Sequence, residues 1–407
     1  METNLYSRSF GRHPRLAWIA AGAFLGAMMV IGTLERVGRL PAVRAESNHS
    51  APIPAADFAR MVQEFSEPGG FFHSDNFTSN ENAYLHISDK LKELGISGGA
   101  YLGVGPEQNF SYIAKIRPQI AFIIDIRRQA IIQHLMYKAI FHQAANRAQF
   151  LSLLFSKPLP ASAAQASTEE LLQRISEGPT SKATLTSNLA AIRKTITETF
   201  HFPLSAEDLK SLEYVYSSFW QANLQIGFRF DGGYGGWSWG MPNFRDLILA
   251  TDLRGNRGNF LAHDEDYEFV RNLQEQNRVI PVVGDFGGRK AIATVADYLK
   301  KNGYTVSAFY TSNVEEFLYQ NDVFGAFAAN VSKLPISDRS VFIRSVRRPW
   351  VPEGASTPGD RMTPLLENIS DFLQDYKQGR IPDYGSLVNN HFIAGSVEHG
   401  DASPAFP

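Results

Sequence analysis

Residues 101–125, YLGVGPEQNFSYIAKIRPQIAFIID, constrain the chain more than any other stretch. An apolar run over residues 100–104 feeds a Gly103-Val104-Gly105 turn, and a helical pattern follows over residues 110–116. Pro118 stops that pattern, and a second apolar run, residues 120–124, ends on Asp125. Strand, glycine turn, helix, strand and terminal carboxylate make the first βαβ unit of a nucleotide-binding sheet. Glycines bring a backbone close to a ligand, and the helix start offers free N–H groups. Asp125 lies 22 residues after Gly103, the reach at which a carboxylate takes a ribose diol.

The rest of the chain can house such a sheet. Its 407 residues are 44% hydrophobic, enough for one large core or two ordinary ones. A net charge of −2 gives nucleic acid no electrostatic footing. The absence of cysteine excludes disulfides, thiolate chemistry and Cys-based zinc sites. Residues 1–45 read as a separate segment. Arg8, Arg12 and Arg15 precede an uncharged run, residues 16–34, long enough to cross a bilayer as a helix. It is either a retained membrane anchor or a signal peptide cleaved after Ala45, and the long charged gap between Leu34 and Ala45 favours the anchor. Both readings place the body in the exported, periplasmic space or at the outer face of a membrane.

Residues 46–56 read as a polar, Pro-containing linker, and the folded body is expected over residues 57–348. An amphipathic helix carrying Tyr84, Leu85, Ile87, Leu91 and Leu94 ends at Gly95, after a polar lead-in at Ser79-Asn80-Glu81-Asn82. Apolar residues at helical spacing run from 126 to 155, and more helices follow over 169–177, 183–200 and from Ser205. Residues 130–220 are therefore a helical insertion. Strands are expected over 223–230, 279–283, 305–310 and, as the last, 340–345, with helices at 265–276, 290–301 and from Val314. Residues 349–407 form a C-terminal extension with one helix, 365–376, behind an irregular Pro/Gly stretch. Strands alternating with helices argue for a mostly parallel α/β sheet.

In open α/β sheets, ligands sit outside the carboxyl ends of the strands. Four such ends carry polar groups here: Gly103 to Asn109, Asp125, Gly284-Asp285-Phe286, and Tyr310 to Asn313. The glycine turn suits a charged tail and Asp125 a ribose. Asp285 suits the amine of a base, with Phe286 against its face. Each group also has a structural reading, as tight turn or helix cap.

Residues 102–107 (LGVGPE), 121–127 (AFIIDIR), 281–286 (PVVGDF) and 309–316 (FYTSNVEE) resemble an uncharacterised family of bacterial proteins related to the class I S-adenosylmethionine-dependent methyltransferases, over residues 75–345. The resemblance implies a Rossmann-like sheet of the methyltransferase type and S-adenosylmethionine as cofactor. Gly103 and Gly105 would then flank the methionine part, Asp125 would bind the ribose and Asp285 the adenine, while Tyr310 and Asn313 would face the methyl group and its acceptor. Two positions depart from the pattern: Tyr101 stands where an acidic residue is usual, and Glu107 where a third glycine is. Glu107 would either bond the cofactor's ammonium or obstruct its carboxylate. These departures and the exported location carry a second reading, a binding or structural module that kept the sheet and lost the cofactor.

Gly236-Trp237-Ser238-Trp239-Gly240 matches the form of a serine-hydrolase elbow, but a glycine-rich stretch precedes it and Pro242 follows, where the elbow needs a strand and a helix. His263-Asp264-Glu265-Asp266 reads as a helix start, since neighbouring residues on a helix cannot converge on one ion. No metal site is expected.

Overall fold

A computed structural model describes residues 51–230 and 240–395. The main sheet has seven strands, built from five parallel ones and an antiparallel edge. In chain order the strands are β1 (Ser74–Asn76), β2 (Ala100–Gly103), β3 (Ile120–Asp125), β4 (Phe228–Phe230), β5 (Val279–Val283), β6 (Val306–Ser312), β7 (Val341–Arg347), β8 (Met362–Asn368) and β9 (Ile393–Ala394). The sheet runs β5-β3-β2-β6-β7-β8-β9, while β1 and β4 pair separately as an antiparallel ribbon. β5, β3, β2, β6 and β7 are parallel, whereas β8 runs antiparallel to β7 and β9 antiparallel to β8. The first strand of this sheet, β2, lies between the second and the fourth, so the winding reverses between β2 and β6. That is the order of a doubly wound sheet, and the reversal is where such sheets open a crevice.

Strands covered on both faces read as unbroken apolar runs. Ile120, Ala121, Phe122, Ile123 and Ile124 are all fully buried. Pro281 stands in β5, the outermost strand of its side, where a missing N–H costs no ladder bond on the open edge. Helix α1 (Ala55–Phe65) closes over that side, stacking Phe65 on Phe122 with centroids 6.2 Å apart. Helix α2 (Gln108–Ile116) follows the glycine turn.

The insertion between β3 and β5 is helical: α3 (Arg128–Gln143), α4 (Arg147–Phe155), α5 (Thr168–Glu177), α6 (Lys182–Lys194) and α7 (Ala206–Ala222). The expected single helix over 126–155 is two. Asn146 ends the continuity by taking extended backbone and capping α4, its side chain accepting from the Gln149 N–H. Ser205 and Asp208 form the capping box expected at the start of α7. The expected strand over 223–230 keeps only its end, β4, after a 3-10 turn, Asn223–Gln225.

Beyond the insertion come α8 (Asp264–Glu275), α9 (Ala291–Lys301), α10 (Val314–Gln320), α11 (Phe324–Val331), α12 (Ile369–Lys377) and α13 (Tyr384–Asn389). The strand expected to be last is followed by two more, so residues 362–394 complete the sheet, and the described residues form one compact unit. β8 hides in the sequence because Pro364 and Glu367 interrupt its apolar run. Pro364 pairs with Ser345 but lies outside the short ladder with β9, which takes only Leu365 and Leu366. Glu367 is buried against a cation. Among the described residues no helix is long and apolar enough to cross a membrane, and the expected anchor, residues 16–34, lies outside them.

Candidate functional site

The strand order sets the carboxyl ends of β5, β3, β2 and β6 side by side. Asp285, Asp125, Gly103 and the Tyr310-Asn313 end of β6 therefore share one edge, as the sequence implied. What the sequence did not imply is how fully these groups are already occupied by the chain itself.

At the glycine turn, Asn109 acts as a staple. Its Oδ1 accepts from the Tyr101 hydroxyl at 2.9 Å, and its Nδ2 donates to the carbonyls of Val104, Gly105 and Pro106 at 2.9, 3.2 and 2.7 Å. Gly103 makes this possible, since a Cβ there would lie 2.0 Å from Asn109 Oδ1. Gly105 takes a φ of 80°, which L side chains rarely adopt. His134 on α3 reaches the same turn, its Nε2–H donating to the Gly105 carbonyl at 2.8 Å. Burial pushes His134 down to about 4, so the imidazole is neutral, and its Nδ1 has no partner.

At the reversal point the chain brings in Glu81, from the loop after β1. Glu81 is 1% exposed. Its Oε1 accepts from the Tyr310 hydroxyl at 2.7 Å and the Ser312 hydroxyl at 2.5 Å, and its Oε2 accepts from Gln108 Nε2 at 2.8 Å. Gln108 Nε2 also lies 3.1 Å from the Tyr310 hydroxyl. Burial raises the Glu81 carboxyl, and the surrounding donors pull it back only in part. Glu107, at the start of α2, accepts from the Ser79 N–H at 3.4 Å through Oε1 and has no partner for Oε2. Burial pushes it up to about 8.

The remaining sequence-predicted residues are also engaged. Asp125 is 3% exposed and bound by one residue: Oδ1 accepts from the Arg127 N–H and Nε at 2.9 and 3.1 Å, and Oδ2 from the guanidinium at 2.9 Å. Asp285 Oδ1 accepts from the Gly287 N–H at 2.9 Å, while the Asp285 N–H donates to Glu67 Oε1 at 2.8 Å. Phe286 turns into the core, stacked on Phe327 at 5.8 Å and edge-on to Phe309 at 5.0 Å. Asn313 precedes α10 half-buried and makes no side-chain cap; its Oδ1 sits 3.4 Å from the Ser312 hydroxyl.

Sequence reasoning missed Glu81, Glu67, His134 and the partner role of Arg127. The Glu81 bond to Tyr310 spans 229 residues, and no local pattern announces it. Arg127 had a signal: a cation two residues past a strand-terminal Asp folds back on it easily. His263 bonds the Arg257 carbonyl at 3.1 Å and His391 lies 3.5 Å from Asp375, while Ser238 lies outside the described residues. The acids of α8 are spent on cations, Asp264 on Arg147 and Asp266 on Lys115 and Arg117. Among the described residues no cluster of three His, Asp or Glu side chains could hold a metal ion.

The groups that close the glycine turn and the reversal point fall within one family match. The chain belongs to the DUF7790 family. That family's model, described as a domain of unknown function, matches residues 76–393, from the last residue of β1 to the first of β9, and so includes Glu81 and the main sheet up to that residue. No curated protein matches the chain.

Proposed function

We propose that this DUF7790 protein is a methyltransferase-like α/β module that fills its own cofactor crevice and works as an exported or membrane-anchored binding or structural module, not as a methyltransferase. One observation carries this reading: Glu81 is seated at the reversal point, on Tyr310, Ser312 and Gln108. Tyr310 is a group that a methyl acceptor would need. Asp125 supports the reading too, since a carboxylate already holding three bonds from Arg127 must break them to take a ribose. Calorimetric titration of the full chain with S-adenosylmethionine and S-adenosylhomocysteine tests it. No heat is expected from folded protein; micromolar binding, abolished by Asp125→Ala, would contradict it.

The strand order favours a second reading, that of an S-adenosylmethionine-binding enzyme caught closed. A doubly wound sheet reversing between β2 and β6 is built to hold a nucleotide at that edge. Gly105 has no atom within 4 Å of where a Cβ would stand, so the turn has open space beside it. In that reading residues 79–82 leave before the cofactor enters, with Asn313 and Tyr310 then orienting the acceptor.

A further inference from the structure

Residues 77–82 join β1 to the 3-10 turn Tyr84–Ile87. Side chains hold the stretch. Glu81 supplies three bonds to the sheet edge, and the Ser79 N–H contributes the bond to Glu107. Asn82 ties the far end, through the Gly359 carbonyl and the Arg361 N–H.

Both carboxyl groups in this contact are almost wholly buried, and among the described residues neither meets a Lys, Arg or His. The titratable groups facing Glu81 are Tyr101 on β2, Tyr112 on α2 and Tyr310 on β6. Those facing Glu107 are Tyr84 and Tyr137. Burial raises all five phenols above their ordinary value, so none supplies charge near neutrality. An ionised carboxylate without a cation needs water. Water reaches both groups at once if this stretch lifts, because Glu81 rides on it and the one bond Glu107 takes from another residue comes from it.

We propose that residues 77–82 are a proton-dependent latch over the carboxyl edge, seated while Glu107 is protonated and released as it ionises. The inference rests on the reading that this stretch fills the crevice. The direction follows from Glu107, whose ordinary value of 4.5 rises to about 8 when seated. Below 4.5 both states carry the proton and the seated state is fully favoured. As the pH climbs from 4.5 to about 8, only the released state ionises, and seating weakens by about tenfold per pH unit. Above 8 the effect levels off.

Hydrogen–deuterium exchange of the full chain between pH 5 and 9 tests this, with wild type and Glu107→Gln compared at each pH so that intrinsic exchange cancels. Peptides covering residues 77–84 should lose protection with rising pH in wild type and keep it in the variant, while β3 peptides stay protected in both. Glu107→Met serves if the glutamine variant does not fold. Equal protection at every pH, parallel loss in the variant, or loss that spreads to β3 would each overturn the latch. The titration with S-adenosylmethionine is a separate test: binding there would overturn the filled-crevice reading even if the exchange result held.

Discussion

Two groups of buried carboxylates lie along the same sheet, and they are handled in opposite ways. Beside β7, Arg344 reaches Glu315 through Nε and a terminal nitrogen at 2.7 and 3.0 Å, and its other nitrogen bonds Glu367. All three residues are 3% exposed or less, and Arg344 also lies 4.7 Å over the Phe342 ring. One cation holds two acids, and Glu367, the acid with an unpartnered oxygen, is pushed up to about 7 by burial. Across β6, Glu81 and Glu107 are equally buried with no cation at all among the described residues. Charge pairing ties the first cluster into the core and leaves only the unpartnered oxygen of Glu367 to a proton. Its lack makes the second dependent on protons, and therefore conditional.

That contrast can be broken from its strongest side. Arg344→Met would leave Glu315 and Glu367 buried without their cation and should cost about 3–5 kcal/mol in urea unfolding. A cost under about 1 kcal/mol would mean that the pairing does not distinguish the two clusters. Glu107→Gln should move the other way. At pH 8 it should gain on the order of 4 kcal/mol over wild type, and at pH 4.5 almost nothing, because the folded carboxyl is pushed up to about 8 and its stabilising proton is lost as pH rises. A gain that does not depend on pH would point to packing. Asp125→Asn removes one acid from a one-to-one pair and leaves Arg127, 8% exposed, with weaker acceptors; about 2–3 kcal/mol should be lost by the same measurement. At the small end, Arg60→Ala on the exposed face of α1, where Arg60 meets Asp57 at 2.9 Å, should change stability by less than about 0.5 kcal/mol.

Much of the architecture was legible because it obeys local rules. Residues 120–124 and 279–283 are apolar runs, the second carrying Pro281 and followed by Gly284, and they make up β3 short of its last residue and the whole of β5. Ser205 and Asp208 announced a helix start that the chain uses. β8 and β9 were not legible, since one carries Pro364 and a buried glutamate that only Arg344 explains, and the other is two residues long. The split of α3 from α4 was missed because Ala144 and Ala145 continue the apolar spacing while Asn146 ends it by a cap. At the edge, Gly103, Asp125 and Asp285 could be found because each ends an apolar run. What they do there could not, because Glu67, the partner of Asp285, comes from a loop far away in sequence and Arg127, the partner of Asp125, had been read only as part of a motif.

The seating of residues 79–82 can be measured directly, because a chain without cysteine accepts a single thiol as an unambiguous probe. Ser79→Cys places one where Ser79 is 5% exposed, and Ser97→Cys places a control on an exposed turn. With both proteins folded at pH 5, disulfide-exchange labelling of the thiol at 79 should be at least about a hundredfold slower than at 97, as a seating preference of roughly 3 kcal/mol requires. Equal rates would show that the crevice stands open, and would contradict the account at its centre.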